Sequence, residues 1–168
     1  MTGSVFHGDT QPSWLDPQLS KPSALVNTTR CLLSEAFLST PMSQQQKDMT
    51  ARLNDEARHD IGKKCLVMPT LAFTTDYDDQ QDAILEMISR YNAFDSGITL
   101  FELRDFGVIF RENDGSWTNQ TPAGDWTLQA VYWQFEYTDL DYQRPSFAPW
   151  DALQTARALI LMLPNEFI

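Results

Sequence analysis

The chain has 168 residues, 42% of them hydrophobic, and a formal net charge of −11 at pH 7. This composition excludes disorder throughout the chain, because it supplies enough apolar side chains for the core of one domain. The charge disfavours direct binding to nucleic acid through a basic patch, and the longest apolar run, residues 158–164, is too short to span a membrane. Residues 1–15 lack the features of a signal peptide, so a cytoplasmic location is expected.

The negative charge is concentrated in one part of the sequence. Residues 76–151 contain fifteen Asp and Glu against four Arg, and this difference equals the net charge of the whole chain. A one-sided acidic field repels nucleic acid and attracts basic protein grooves. The expected partner is therefore a protein with a basic groove.

The first part of the chain is predicted to contain an arm and two helices. Residues 1–22 are rich in Gly and Pro without apolar periodicity, so we expect an extended arm before a single domain over residues 23–168. Helical spacing predicts a first helix over residues 24–38. Ser43 and Gln46 match a capping box for a second helix. Apolar residues recur at every fourth position of this helix: Met49, Leu53, Ala57 and Ile61.

An edge strand and a third helix are predicted next. Residues 64–73 are apolar and are interrupted by Pro69, as is typical of a short edge strand. Thr75 or Asp76 is expected to cap the third helix, which Gly97 ends. Its inward-facing residues are predicted to be Ile84, Leu85, Ile88, Tyr91 and Phe94.

After residue 97 the apolar period changes to that of strands. Phe106, Val108 and Phe110 alternate on one face, as do Val131, Trp133, Phe135 and Tyr137. A turn at residues 113–115 and an excursion up to residue 125 separate these strands, and an apolar helix over residues 147–163 is expected to end the domain. The predicted class is α+β, with an antiparallel sheet of about three to five strands packed against three or four helices.

Few residues are suited to catalysis or to cofactor binding. His7 and His59 are the only histidines, and His59 is expected to complement the dipole at the C-terminus of the second helix. Cys31 and Cys65 are interpreted as buried thiols. The chain has neither the spacing of a calcium loop nor a phosphate-binding glycine loop. No catalytic residue, metal or cofactor is predicted.

The predicted partner-binding surface combines acidic and aromatic side chains. The acids of residues 76–82 also suit the N-terminal dipole of the third helix, and the acidic face of the Trp133 strand is also typical of a solvated sheet face. Charge asymmetry favours the binding interpretation. The residues assigned to binding are Asp76, Asp78, Asp79, Asp82, Tyr132, Glu136, Asp139, Asp141 and Tyr142.

Three segments of the sequence resemble an uncharacterised bacterial and phage domain family that is known only as a domain of unknown function. They are Ala51-Arg52-Leu53-Asn54-Asp55 with Arg58; residues 101–107 with residues 133–137; and residues 156–163 with residues 165–167. The family brings no established activity, and the resemblance implies a small gene of a mobile element. The segment 113–125 is longer than in the family, and residues 1–45 lie outside the resemblance.

The leading functional hypothesis is a non-enzymatic acidic binding protein from a mobile genetic element. It would inhibit a host nucleic-acid-dependent defence complex, of the anti-CRISPR or antirestriction type, by occupying a basic groove. One alternative is an immunity protein that neutralises a basic toxin. Another is a small enzyme that uses the acidic sheet face, with His59 or Arg52.

Overall fold

A computed structural model of the chain describes residues 41–94, 102–120 and 130–167. The predicted arm and first helix, together with Cys31 and Gly97, lie outside the described residues. The described elements are α1 (Gln44–His59), β1 (Leu66–Pro69), α2 (Leu71–Tyr77), a 3₁₀ turn (Asp78–Gln80), α3 (Gln81–Ser89), β2 (Phe106–Arg111), β3 (Trp117–Thr118), β4 (Ala130–Thr138), β5 (Ala156–Met162) and a second 3₁₀ turn (Pro164–Glu166).

The five strands form one mixed sheet in the order β1-β5-β4-β2-β3. β1 pairs with β5 in parallel, and the other three pairings are antiparallel. The predicted α+β class is thus confirmed, but the prediction of an antiparallel sheet fails at β1. β1 lies at the edge of the sheet and contains Pro69, as expected for the predicted edge strand.

The predicted closing helix over residues 147–163 is wrong. Its apolar part forms β5, which lies between β1 and β4 and is buried over most of its length. A strand inside a sheet with both faces covered is apolar almost continuously, and periodicity alone does not distinguish so short a run from a buried helix. Residues 147–155 instead form turns, in which Asp151 accepts hydrogen bonds from the backbone of Leu153 and the side chain of Gln154.

The predicted capping box at the start of α1 is confirmed. Ser43 Oγ accepts a hydrogen bond from the backbone of Gln46 at 3.3 Å, and Gln46 Oε1 accepts one from the backbone of Ser43 at 2.8 Å. The predicted apolar stripe is only partly confirmed. Ala57 is buried and Ile61 packs against the core, whereas Met49 and Leu53 are half-buried, because the helix turns polar side chains toward the sheet. Its buried residues are Thr50, Ala51, Asn54, Ala57 and Arg58.

Replacing Ser43 with alanine is expected to lower the free energy of unfolding by about 1 kcal/mol, because the backbone N–H of Gln46 loses its capping acceptor. Urea denaturation followed by circular dichroism measures this change. Gln45→Ala is the matched control, since Gln45 is exposed in the same helical turn and takes no part in the capping box. An equal loss of stability in both variants would contradict the capping role.

The predicted third helix begins earlier than expected and is interrupted. Thr70, rather than Thr75 or Asp76, is the N-cap, and its Oγ1 accepts a hydrogen bond from the backbone of Phe73 at 3.2 Å. The 3₁₀ turn over residues 78–80 separates α2 from α3. The helix also ends earlier than predicted, at Ser89, so Tyr91 and Phe94 follow it. The inward-facing residues were nevertheless predicted correctly: Ile84, Ile88 and Tyr91 are buried, and Leu85 and Phe94 pack against the same core.

The main core lies between the helices and one face of the sheet. Val131, Trp133 and Phe135 of β4 contribute to it as predicted. On β2, the residues that face this core are Gly107 and Ile109, because Gly107 pairs with Trp133 and Ile109 with Val131. The predicted apolar face of β2 lies on the other side of the sheet, in a smaller cluster formed by Phe106, Val108, Tyr132 and Phe167.

Candidate functional site

The acids of residues 76–82 lie together at the junction of α2 and α3. Asp76, Asp78, Asp79 and Asp82 are all exposed. Asp82 is in the first turn of α3, where a carboxylate is stabilised by the helix dipole. Among the described residues, none of the four carboxylates is in an ion pair. The predicted dipole role thus applies to Asp82, and all four carboxylates are accessible to a partner.

Most of the described ion pairs lie around α1. Six of the seven have at least one partner in α1 or in the residues just after it: Lys47–Glu102, Arg52–Glu56, Arg58–Asp55, Lys63–Asp60, Lys64–Glu56 and Arg104–Asp55. The seventh is Arg90–Glu86, within α3. Acids around α1 are therefore paired locally, whereas the acids of residues 76–82 are outside the described ion pairs.

A groove of about 510 Å³ adjoins this acidic junction. It runs between α3 and the β2–β3 hairpin. Ala83, Met87 and Trp117 provide apolar lining, while Asp79, Glu86, Arg90 and Arg111 provide charged lining. The hairpin turn at residues 113–115 was predicted, and Gly115 makes it possible by adopting a φ of 89°, which other residues adopt at a cost.

Aromatic contacts fix the acidic junction against the hairpin. The rings of Tyr77 and Trp117 meet edge to face at 5.4 Å between centroids. Burial raises the pKa of Tyr77, and the neighbouring carboxylate of Asp76 raises it further. Arg111 lies over the ring of Trp117 at 6.0 Å. The groove therefore has a fixed aromatic wall.

The second group of predicted binding residues lies at the end of β4 and in the turn that follows it. Asp139 is used in a turn, because its Oδ1 accepts hydrogen bonds from the backbone of Gln143 at 2.7 Å and of Arg144 at 3.2 Å. Glu136 and Asp141 are exposed. Tyr142 is exposed with a φ of 58°, in the left-handed region that costs energy for a residue with a side chain. Asp139 and Tyr142 thus belong to a hydrogen-bonded turn, and Asp141 is an exposed acid within it.

Tyr132 lies apart from both acidic groups. It is half-buried in the smaller cluster, where its ring contacts Phe106 at 5.7 Å and Phe167 at 5.5 Å. Burial raises the pKa of its hydroxyl. Its position is that of a packing residue on the second face of the sheet, close to the closing 3₁₀ turn.

The two acidic groups lie at opposite ends of β4. Phe110 pairs with both Thr118 and Ala130, so the hairpin and the acidic junction are at the start of β4. Glu136 and Asp139 are at its other end, about 25 Å away along the strand axis. The nine predicted residues therefore do not form one continuous patch, and the acidic junction is the group that adjoins a groove.

A buried polar network was not predicted from the sequence. Asn54 of α1 donates to Tyr137 Oη and to the carbonyl oxygen of Leu103, both at 2.7 Å, and its Oδ1 accepts from Arg157 Nε at 2.7 Å. Tyr137 Oη donates to Asp105 at 3.1 Å. Burial lowers the pKa of Arg157, although its guanidinium lies 5.5 Å from the centroid of the Tyr137 ring. The signal in the sequence that could have revealed this network is Arg157, a charged residue within the apolar run of β5.

His59 and Cys65 have the structural positions that were predicted for them. His59 is exposed at the end of α1, with Nδ1 2.6 Å from the carbonyl oxygen of Asp55. Cys65 is buried, and burial raises the pKa of its thiol. No three His, Cys, Asp or Glu side chains within the described ranges are arranged to hold a metal ion. No helix in this part of the chain has the length and apolar character needed to cross a membrane.

Comparison with known families gives one assignment. The sequence model of a family described as "Protein of unknown function (DUF3768)" matches residues 70–166. Comparison with curated proteins gave no match, and neither did comparison with solved structures. The match confirms the resemblance to an uncharacterised domain family, although the Ala51–Asp55 segment of that resemblance lies outside it. It runs from the cap of α2 to the closing 3₁₀ turn, so the chain belongs to the DUF3768 family of proteins of unknown function.

Proposed function

We propose that this chain is a non-enzymatic binding protein that occupies the basic, nucleic-acid-binding groove of another protein. In its specific form, the proposal is that the chain comes from a mobile genetic element and inhibits a host defence complex of the anti-CRISPR or antirestriction type. The observation that carries the proposal is the group of four exposed carboxylates at the α2–α3 junction that are outside the described ion pairs.

Charge supports this proposal through both affinity and rate. These four carboxylates break none of the described ion pairs when they meet a basic surface. A concentrated negative field also accelerates association with a positive groove, and salt screens the attraction over about 10 Å at 0.1 M ionic strength. Binding through the acidic junction is therefore expected to be fast and to weaken as salt rises.

The test is affinity capture with the tagged protein from nuclease-treated host-cell lysate, with washes of increasing salt and identification by mass spectrometry. The expected result is capture of a nucleic-acid-handling complex that is lost as salt rises. Capture that resists salt would contradict the electrostatic proposal. Capture of a small basic toxin would contradict the defence-complex proposal and favour the immunity alternative.

Two double variants locate the docking surface once the partner is purified. Asp76→Asn/Asp78→Asn is expected to weaken binding about tenfold, because two exposed carboxylates outside the described ion pairs are neutralised. Glu136→Gln/Asp141→Asn removes the same charge at the other end of β4 and is the matched control, with little effect expected. Both pairs are exposed, so the fold is preserved. Unchanged affinity of the first variant would contradict docking through the acidic junction.

A further inference from the structure

We infer that Asp114 is a covalent modification site, at which aspartate isomerises to isoaspartate at a rate that hydrogen bonds from Ser116 hold down. The chain contains one Asp–Gly pair and no Asn–Gly pair, and the Asp–Gly pair is Asp114–Gly115 in the turn between β2 and β3. Asp114 is exposed in this turn, so water reaches its carboxyl group. The inference is independent of the proposed function.

The isomerisation of an Asp–Gly pair needs no reagent other than water. The backbone nitrogen of Gly115 attacks Cγ of Asp114, a C–N bond forms, and the hydroxyl of the carboxyl group leaves as water together with the amide proton. Water then hydrolyses the cyclic imide. Cleavage of the new C–N bond restores aspartate, whereas cleavage of the original peptide bond gives isoaspartate, in which the main chain runs through Cβ and Cγ of residue 114.

Hydrogen bonds of the turn oppose this attack at both reacting groups. The N–H of Gly115 donates to the carbonyl oxygen of Glu112 at 2.9 Å, so the nitrogen must give up this bond before it attacks. Oδ1 of Asp114 accepts hydrogen bonds from the backbone N–H of Ser116 at 2.9 Å and from its hydroxyl at 2.7 Å. Ser116 therefore restrains the carboxyl group with its main chain and with its side chain.

Ser116 also keeps the carboxyl group of Asp114 charged. The hydroxyl and the backbone N–H of Ser116 hold the pKa of this carboxyl below its usual range, because hydrogen bonds to a carboxylate favour its charged form. Imide formation expels the hydroxyl of a neutral carboxyl group, and a carboxylate has no such leaving group. The two hydrogen bonds thus reduce the share of molecules that can react.

Isomerisation at this position would reach the contact between Tyr77 and Trp117. It adds one carbon to the main chain between Glu112 and Ser116, where the N–H of Glu112 donates to the carbonyl oxygen of Ser116 at 2.8 Å. Trp117 comes next in the chain and meets the ring of Tyr77 edge to face. The longer main chain no longer fits this pairing, so the modification alters the aromatic wall beside the acidic junction.

The test is ageing of the full chain at neutral pH, with isoaspartate located by proteolysis and mass spectrometry with electron-transfer fragmentation. In the parent chain, isoaspartate is expected first at position 114. Ser116→Ala is expected to accumulate it at least about threefold faster, because the hydroxyl donor is lost. Ser116→Thr keeps a hydroxyl and is expected to age as the parent chain does. Accumulation first at another residue, or equal rates for Ser116→Ala and the parent, would overturn the inference.

Two controls assign the effect to the folded turn. Thr118→Ala alters the same hairpin at a hydroxyl that accepts a hydrogen bond from Gln120, and it should age as the parent chain does. In urea that unfolds the chain, the parent and Ser116→Ala are expected to age at equal rates, because the turn is lost. Ageing of Thr118→Ala as fast as that of Ser116→Ala, or a rate difference that persists in urea, would overturn the role of Ser116.

Discussion

Replacing Asn54 with leucine is expected to lower the free energy of unfolding by about 4 kcal/mol, because a buried cation loses its acceptor. Asn54 is fully buried, and its side chain joins α1 to β4, β5 and the segment before β2. Leucine has a similar volume but neither donates nor accepts a hydrogen bond. Arg157 is only 5% exposed, so water does not readily replace the lost acceptor at its Nε.

Urea denaturation of the single and double variants tests this prediction. Arg157→Met removes the buried charge, so the double variant Asn54→Leu/Arg157→Met is expected to be less destabilised than the sum of the two single variants. Asn165→Leu is the control for the same substitution at an exposed position. A loss of stability for Asn54→Leu no larger than for Asn165→Leu would show that the network does not stabilise the fold.

Replacing Gly107 with alanine is expected to lower the free energy of unfolding by about 3 kcal/mol. An alanine Cβ would lie 2.6 Å from Trp133 Cζ2 and 2.7 Å from both Cε2 and Nε1 of the same ring. Trp133 is fully buried, and its ring is held edge to face by Tyr91 at 5.2 Å and by Phe135 at 6.0 Å. Movement of the indole away from the new methyl group would therefore disturb these two ring contacts.

A double-mutant cycle separates this clash from a general effect of alanine in a strand. Trp133→Phe shortens the ring that alanine would meet, so Gly107→Ala is expected to cost less in the Trp133→Phe background than in the parent chain. Thermal unfolding followed by circular dichroism gives the four stabilities of the cycle. Strict additivity would contradict a direct contact between the two positions.

Local signals predicted much of the described fold. The start of α1 was found because Ser43 and Gln46 satisfy each other within one turn. The core face of β4 was found because its pattern alternates with a period of two. Both signals depend on neighbouring residues only. The acidic junction was also assigned to binding from the sequence, and the structure adds the groove beside it.

Long-range contacts account for what was missed. Residues 156–162 form a strand because β1 and β4 pair with them on either side. The seven residues of β5 alone do not indicate that these partners exist. Asn54 and Arg157 are 103 positions apart in the sequence, so no local pattern joins them. The two acidic groups are likewise separated because they lie at opposite ends of β4, and the composition of the chain does not show where a strand runs.

The position of β5 has a consequence for biosynthesis. β1 pairs only with β5 among the described strands, in a register that joins Leu66 to Ala158. A ribosome makes residue 66 more than ninety residues before its partner, at about 5–20 residues per second, so β1 waits several seconds with its edge unpaired. The hydrogen bond between Asn54 and Arg157 likewise cannot form until residue 157 has been made. The sheet is therefore completed only after β5 has been synthesised, and until then the unpaired edge of β1 is open to pairing with other chains.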